Sequence, residues 1–269
     1  MSTKILAFYV ILLIQALSCT TLSKQKSSSA DELLDSQKSV IVGYLDSNQA
    51  QMAHKELRTL MKEHSDDADL HNLMGLTNLA LNNKQRALLH FRKSFNLNQK
   101  TSTALNLASC LLEMDRNKEA LDILEQAKNR AGDTYPYPER LEHNLGLAYE
   151  KMKKIDSAQK QYEAALVENP SFYLSLLQLG RIYQRQNKTR EALTKLTLAN
   201  AACPVCYDPV HSLVTLYKSE KRNKEAQNIL NSFLKEKKVP KEDLARARDL
   251  QSKLNRTAEL STPSPKKKP

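Results

Sequence analysis

Tryptophan is absent from this chain, and glycine and proline are scarce, with 5 and 9 residues among 269. Because these two residues interrupt regular structure more than others do, their scarcity favours helices joined by short turns over many strands. A mean hydropathy of −0.56 excludes a protein with several membrane spans. A hydrophobic content of 41% nevertheless allows a large core. We therefore expect an all-α protein.

Residue arrangements that carry catalysis are also missing. The 6 histidines are scattered, and neither a Ser-His-Asp set nor a Glu-x-x-His motif is visible. The net charge is +11, yet no basic motif interleaved with aromatic residues occurs, which argues against nucleic acid as a partner. We predict a protein that is not an enzyme, holds no cofactor or metal, and carries most of its charge on solvated helix faces.

The N-terminus has the features of an export signal. Lys4 precedes an apolar run from Ile5 to Ile14, and small residues then lead to Cys19. The run is too short to cross a bilayer as a helix, so residues 1–18 are predicted to be a signal peptide.

The cleavage site allows two interpretations, and both cut before Cys19. Ala16 and Ser18 satisfy an ordinary signal-peptidase site, whereas Gln15 and Ala16 form a weak lipobox ahead of the cysteine. A cysteine as the first mature residue favours lipidation at Cys19. Residues 19–33 would then form a polar tether beyond the anchor.

An internal repeat organises the interior of the chain. An alanine recurs at intervals of 34, 33, 38, 34 and 34 residues, with a small or apolar residue 12 positions before it and a larger residue 4 positions after it. The alanines are Ala53, Ala87, Ala120, Ala158, Ala192 and Ala226. Small residues at these positions allow two helix backbones to approach closely, and the larger residues fill the remaining space. The pattern predicts helix-turn-helix units.

The repeat divides residues 34–240 into six such units. Their predicted ranges are 34–67, 68–100, 101–134, 139–172, 173–206 and 207–240. We expect the units to stack into a right-handed superhelix whose concave groove is lined by the first helices. Residues 241–260 are predicted to form a capping helix, and residues 261–269 a disordered basic tail.

The repeat resembles the tetratricopeptide repeat. Its best single copy contains Asn144-Leu145-Gly146-x-x-Tyr149, followed by Ala158, Tyr162 and Ala165. The resemblance implies a superhelical solenoid that binds peptides or protein surfaces and carries no chemistry of its own.

The one 38-residue interval supports a narrower resemblance. Tyr137-Pro138-Glu139-Arg140 precedes Asn144-Leu-Gly-Leu147, which is similar to the type IV pilus biogenesis and stability lipoproteins, the pilotins of the PilF/PilW type. That resemblance implies an outer-membrane lipoprotein that faces the periplasm, binds the pilus secretin and promotes its assembly. The prolines also fit a simpler interpretation, in which they end a lengthened second helix.

Two other functions remain open at this point. The chain fits a lipoprotein adaptor that organises peptidoglycan enzymes or periplasmic proteases, and Cys203-Pro-Val-Cys206 admits an enzyme for disulfide exchange. For this cysteine pair a local disulfide is the favoured prediction, ahead of two thiols or a zinc site completed by His211.

Side chains on the first helices are the candidate partner-binding residues. The typical repeat phase places Leu76, Leu79, Leu112 and Leu147 in the groove, and Arg181 and Arg185 in its later part. Exposed leucines would form an apolar patch, and such patches mark partner sites. We expect an apolar strand or amphipathic helix as the ligand, with the basic end steering an acidic portion of it.

Replacing Cys19 with Ala is expected to release the mature protein from the membrane fraction, because at least two acyl chains are needed for stable anchoring and this change removes them. Membrane fractionation followed by immunoblotting measures the release. Mass spectrometry that finds a mature N-terminus with unmodified Cys19 would contradict the prediction.

Overall fold

A computed structural model describes residues 31–131 and 135–261. The signal peptide, Cys19, most of the tether and residues 262–269 of the tail lie outside the described residues. Every regular element within the two described ranges is an α-helix. No helix in these ranges is both long enough and apolar enough to cross a membrane.

The described helices form six pairs and a final single helix. Their bounds are 31–46 (α1), Ala50–Glu63 (α2), Ala68–Ala80 (α3), Lys84–Asn98 (α4), Thr101–Glu113 (α5), Asn117–Ala131 (α6), Pro138–Lys151 (α7), Ile155–Glu168 (α8), Tyr173–Arg185 (α9), Thr189–Ala202 (α10), Tyr207–Ser219 (α11), Asn223–Lys235 (α12) and Lys241–Ser261 (α13). Each pair starts and ends within a few residues of one predicted repeat range.

Two details of the predicted boundaries are wrong. Residues 31–33 belong to α1 and not to a tether, because Leu34 packs on the same apolar cluster as Ile41, two helical turns later. Helix α13 includes Ser261, the first residue of the predicted tail. Within the long interval, Pro138 begins α7, where its missing N–H costs nothing.

Internal packing divides the described residues into two compact units, one that contains residues 31–110 and one that contains residues 111–131 and 135–261. The core of the first unit contains Ile41, Leu57, Leu70 and Met74. Three apolar clusters follow one another through the second unit, and their central side chains are Tyr162, Leu196 and Leu230.

The repeated small residues sit at the closest approach within each helix pair. All six periodic alanines are 0% exposed, as are the larger residues four positions later. A Cβ placed on Gly146 would lie 2.5 Å from the ring of Tyr162, and one on Gly75 would lie 2.5 Å from the ring of Phe91. Because real Cβ atoms do not approach carbon so closely, glycine is required there for the two helices to pack at this distance.

Each first helix ends with the same backbone motif. The second residue after the helix has a positive φ between 56° and 61° at Asn48, Asn82, Asp115, Lys153, Asn187 and Lys221. After α7, the N–H of Lys153 donates to the carbonyl of Glu150 and that of Lys154 to Tyr149, both at 2.9 Å. This bond pair is the Schellman motif. The five other turns repeat both bonds, so the turn geometry is as periodic as the packing.

Gly146→Ala should lower the stability of the protein, because the new methyl group displaces the buried ring of Tyr162. Overpacking typically costs about 1 to 3 kcal/mol, which offsets the gain of up to about 1 kcal/mol from replacing glycine in a helix. Gly43→Ala is the matched control, since nothing lies within 4 Å of its added Cβ, and it should raise stability. Urea unfolding followed by circular dichroism measures both; equal shifts would contradict the assigned contact.

Candidate protein-binding surface

Polar side chains link successive first helices at intervals of one repeat. The pairs are Asn72 with Asn106 at 2.9 Å in the first unit, and His143 with Ser175 at 3.0 Å and Arg181 with Ser212 at 3.2 Å in the second. We call these pairs the polar ladder. The ladder lies on the helices that were predicted to line a groove. Its His143, Ser175 and Ser212 are buried, whereas Asn72, Asn106 and Arg181 are half-buried. The two amides and the guanidinium are therefore the ladder groups that can reach peptide backbone or polar side chains of a ligand.

Three of the predicted groove leucines are partly accessible. Leu76, Leu79 and Leu147 are half-buried. Leu76 packs against the core cluster of the first unit, and Leu147 packs against the cluster around Tyr162 in the second. Leu76 and Leu147 therefore contribute to the core of their own units, and all three leucines leave part of the side chain available to a ligand.

The prediction that Leu112 is a groove residue is wrong. Its side chain is only 6% exposed, so it packs in the interior. The reason is that α5 is buried around most of its circumference: Leu105, Leu107, Leu111 and Leu112 are all buried together with its alanines. The repeat phase identifies one buried side of a first helix but does not show when a second side is covered as well.

The two predicted groove arginines are engaged in ion pairs within the second unit. Arg185 donates to Glu150 Oε1 at 2.6 Å, and an Arg181 nitrogen lies 3.9 Å from Asp208 Oδ1. Their charge is therefore partly neutralised, which reduces any steering effect on an acidic partner.

Glu150 connects the surface of the second unit to its core, and the sequence pattern did not reveal this role. Its Oε2 accepts a 2.8 Å hydrogen bond from the hydroxyl of Tyr162, a residue that is otherwise fully buried. Burial and then the adjacent Glu150 carboxylate raise the pKa of Tyr162. The bond satisfies the buried phenol, so Glu150 holds both Tyr162 and Arg185 in place.

Cys203 and Cys206 are joined by a disulfide, with Cα atoms 5.4 Å apart. The bridge spans the turn between α10 and α11, where Cys206 is the N-cap residue of α11. Val205, between the two cysteines, packs against the last apolar cluster of the second unit. In the described ranges, no three histidine, cysteine or acidic side chains are grouped so that they could hold a metal ion. The third cysteine of these ranges, Cys110, is buried and its Sγ lies 3.7 Å from the Lys84 carbonyl oxygen.

His143 is the most deeply buried ionisable member of the polar ladder. Its ring contacts the rings of Tyr162 and Phe172, with centroids 5.4 Å away in each case, and its Nδ1 pairs with the hydroxyl of Ser175. Burial lowers the pKa of His143 to about 4. The imidazole is therefore neutral at neutral pH and acts as a polar packing residue.

Comparison with known proteins agrees with this geometry. Models of the tetratricopeptide repeat match residues 99–166 and 143–204, so this part of the chain consists of tetratricopeptide repeats. The structure is similar to that of PilW, a widely conserved type IV pilus biogenesis factor, with a TM-score of 0.66 and 15% identity over 80% of this chain and 97% of PilW. No curated protein sequence gives a significant match.

Two further solved structures have a similar fold. PilF of Pseudomonas aeruginosa aligns with a TM-score of 0.64 and 21% identity over 83% of this chain and 98% of its own. MamA of Desulfovibrio magneticus RS-1 aligns with a TM-score of 0.52 and 21% identity over 62% of this chain and 93% of its own. At these identities the likeness shows the fold alone.

Stability should fall with acidification because of His143. The unfolded chain binds a proton at this histidine below pH of about 6.5, whereas the folded chain binds it only near pH 4, so the unfolded state gains protons between these values. The loss attributable to His143 between pH 7 and pH 5 is about 2 kcal/mol. Urea unfolding of wild type and His143→Asn at both values measures it. A difference in the free energy of unfolding between the two proteins that is the same at pH 7 and pH 5 would contradict the assignment.

Proposed function

We propose that this tetratricopeptide-repeat protein is an outer-membrane lipoprotein scaffold that binds a protein partner on its first helices. We further propose that it acts as a pilotin, which promotes assembly of the pilus secretin in type IV pilus biogenesis. The observation that carries this proposal is its likeness to PilW and PilF, since the same repeated fold accounts for 97% and 98% of their lengths.

The surface of the first helices supports the binding role. In the first unit Leu76 and Leu79 lie on α3 with the half-buried Asn72, and in the second unit Leu147 lies on α7 and the half-buried Arg181 on α9. Apolar anchors beside hydrogen-bonding groups are the composition of a protein-binding surface. The tetratricopeptide fold itself is typically non-catalytic, which agrees with a scaffold.

The sequence features of the N-terminus support the proposed location. An apolar run that ends in small residues before Cys19 fits a lipoprotein signal. Further along the chain, the short motif Tyr137-Pro138-Glu139-Arg140 is similar to one in the pilotin lipoproteins. A lipid on Cys19 would hold the repeats at the membrane where a secretin assembles.

The direct test is capture of the secretin by the full-length protein from detergent-solubilised membranes. Leu79→Glu in the first unit and Leu147→Glu in the second should each weaken capture, because buried apolar anchors often contribute at least about 2 kcal/mol at an interface. Leu89→Glu and Val167→Glu are matched controls in the same units, since these residues are 67% and 80% exposed on second helices. Both controls should bind as wild type does.

Circular dichroism and thermal unfolding separate lost binding from lost folding in the leucine variants. Secretin multimers in membranes of a strain that lacks the protein, resolved by gel electrophoresis, give the functional readout and should be reduced. If the multimers persist and capture yields peptidoglycan enzymes or proteases instead, the pilotin role is wrong and the adaptor role takes its place.

A further inference from the structure

A basic cleft lies between the two second helices of the first unit. It has a volume of about 390 Å³ and is lined by His54, Arg58, Met61 and Lys62 of α2, Met74 and Asn78 of α3, and Arg86 and His90 of α4. Five of the eight lining side chains are basic and none is acidic. The basic residues on α2 recur every four residues and those on α4 are four apart, so each helix presents them along one face.

The charge of this cleft is not neutralised by the protein. No hydrogen bond or ion pair to an acidic side chain occurs at His54, Arg58, Lys62, Arg86 or His90 within the described part of the chain. Elsewhere in the same unit, Lys38, Lys93 and Lys100 each pair with an aspartate at 3.0 Å or less. Concentrated like charge without a counter-charge disfavours folding. A bound anion would remove this repulsion, so the composition of the cleft favours anion binding.

His90, which lines the cleft, pairs with His71 of α3. His71 donates from Nε2 to the carbonyl oxygen of Ser65, so its Nδ1 accepts from Nδ1 of His90, and both distances are 3.0 Å. In this arrangement Nε2 of a neutral His90 is an acceptor, so the donors that the cleft offers to an anion are those of Arg58, Lys62 and Arg86. Burial, and then the positive fields of His71 and His54, lower the pKa of His90, and no acidic group acts on it.

We propose that this cleft binds an acidic peptide segment of a protein partner. The basic residues of α2 extend from His54 to Lys62, which are eight positions and about 12 Å apart along the helix. That span suits two or three carboxylates spaced along a peptide, and Arg58 and Arg86 offer forked donors that match carboxylates. Met61 and Met74 supply an adaptable apolar floor for the side chains between the acids. A recessed site of this kind admits a peptide more readily than the flat face of a membrane.

The cleft deepens the proposed function and rests on its premise that the chain binds protein. It lies on second helices and over two buried residues of α3, whereas the polar ladder is formed by first helices. A partner that carries an acidic segment would thus contact the first unit at a second place.

Fluorescence anisotropy with labelled hexaglutamate as the probe tests the cleft in the whole protein. Wild type should bind the peptide, and Arg58→Gln combined with Arg86→Gln should weaken binding by about tenfold or more, because two charge-assisted contacts are lost. Both arginines are exposed, so the fold should persist. Lys237→Gln combined with Lys238→Gln removes the same charge from an exposed turn of the second unit and should leave binding unchanged.

Three results would overturn the proposal: no binding by wild type, equal weakening in both double variants, or equal binding of a hexaglutamine peptide. Inorganic phosphate that displaces the peptide at equal concentration would reassign the cleft to a small anion. Cleft-dependent binding to vesicles of phosphatidylglycerol in phosphatidylcholine, without peptide binding, would reassign it to lipid. The probe is a peptide and not the secretin. The peptide-binding result therefore does not depend on whether the protein captures the secretin.

Discussion

The fold depends on one close contact, which brings the backbones of two helices together inside each repeat. Where Gly75 or Gly146 faces an aromatic ring, there is no room for even one additional carbon atom. That contact places the alanine of the second helix against the first helix, where the alanine is completely buried. The turn between them then has a fixed length, which explains why a left-handed residue occurs at the same place in every pair. The remaining exposed surfaces of each pair are free to vary in composition.

This constraint explains how much the sequence could predict. Packing at close range leaves a periodic trace of small and large residues, so the number of helix pairs and their approximate bounds could be read from the pattern. The trace reports only one side of each helix. It did not show that α5 is covered on a second side, and Leu112 was therefore assigned to a groove when it lies in the interior. The pattern also gave no indication that Arg185 is held by Glu150. These two residues are 35 positions apart on α9 and α7, and neither side chain belongs to the repeat pattern.

The surface chemistry differs between the two kinds of helix. First helices carry a ladder of polar groups that are hydrogen-bonded to one another, whereas α2 and α4 line a cleft in the first unit whose Arg58, Lys62 and Arg86 have no acidic partner within the described residues. Hydrogen-bonding groups that already have partners hold a fixed geometry and therefore help to orient a ligand. Cations without a counter-charge attract an acidic ligand and raise its association rate. A ligand that touches both would be oriented by one and attracted by the other.

The disulfide between Cys203 and Cys206 has a practical consequence for work on the purified chain. It closes the turn between α10 and α11 and fixes Val205 against the last apolar cluster. A thiol reductant in a buffer would open this bond and release the turn that joins two repeats. Protein purified with reductant and protein purified without it are therefore covalently different molecules. Measurements of stability or binding are comparable only between samples whose oxidation state has been checked by mass.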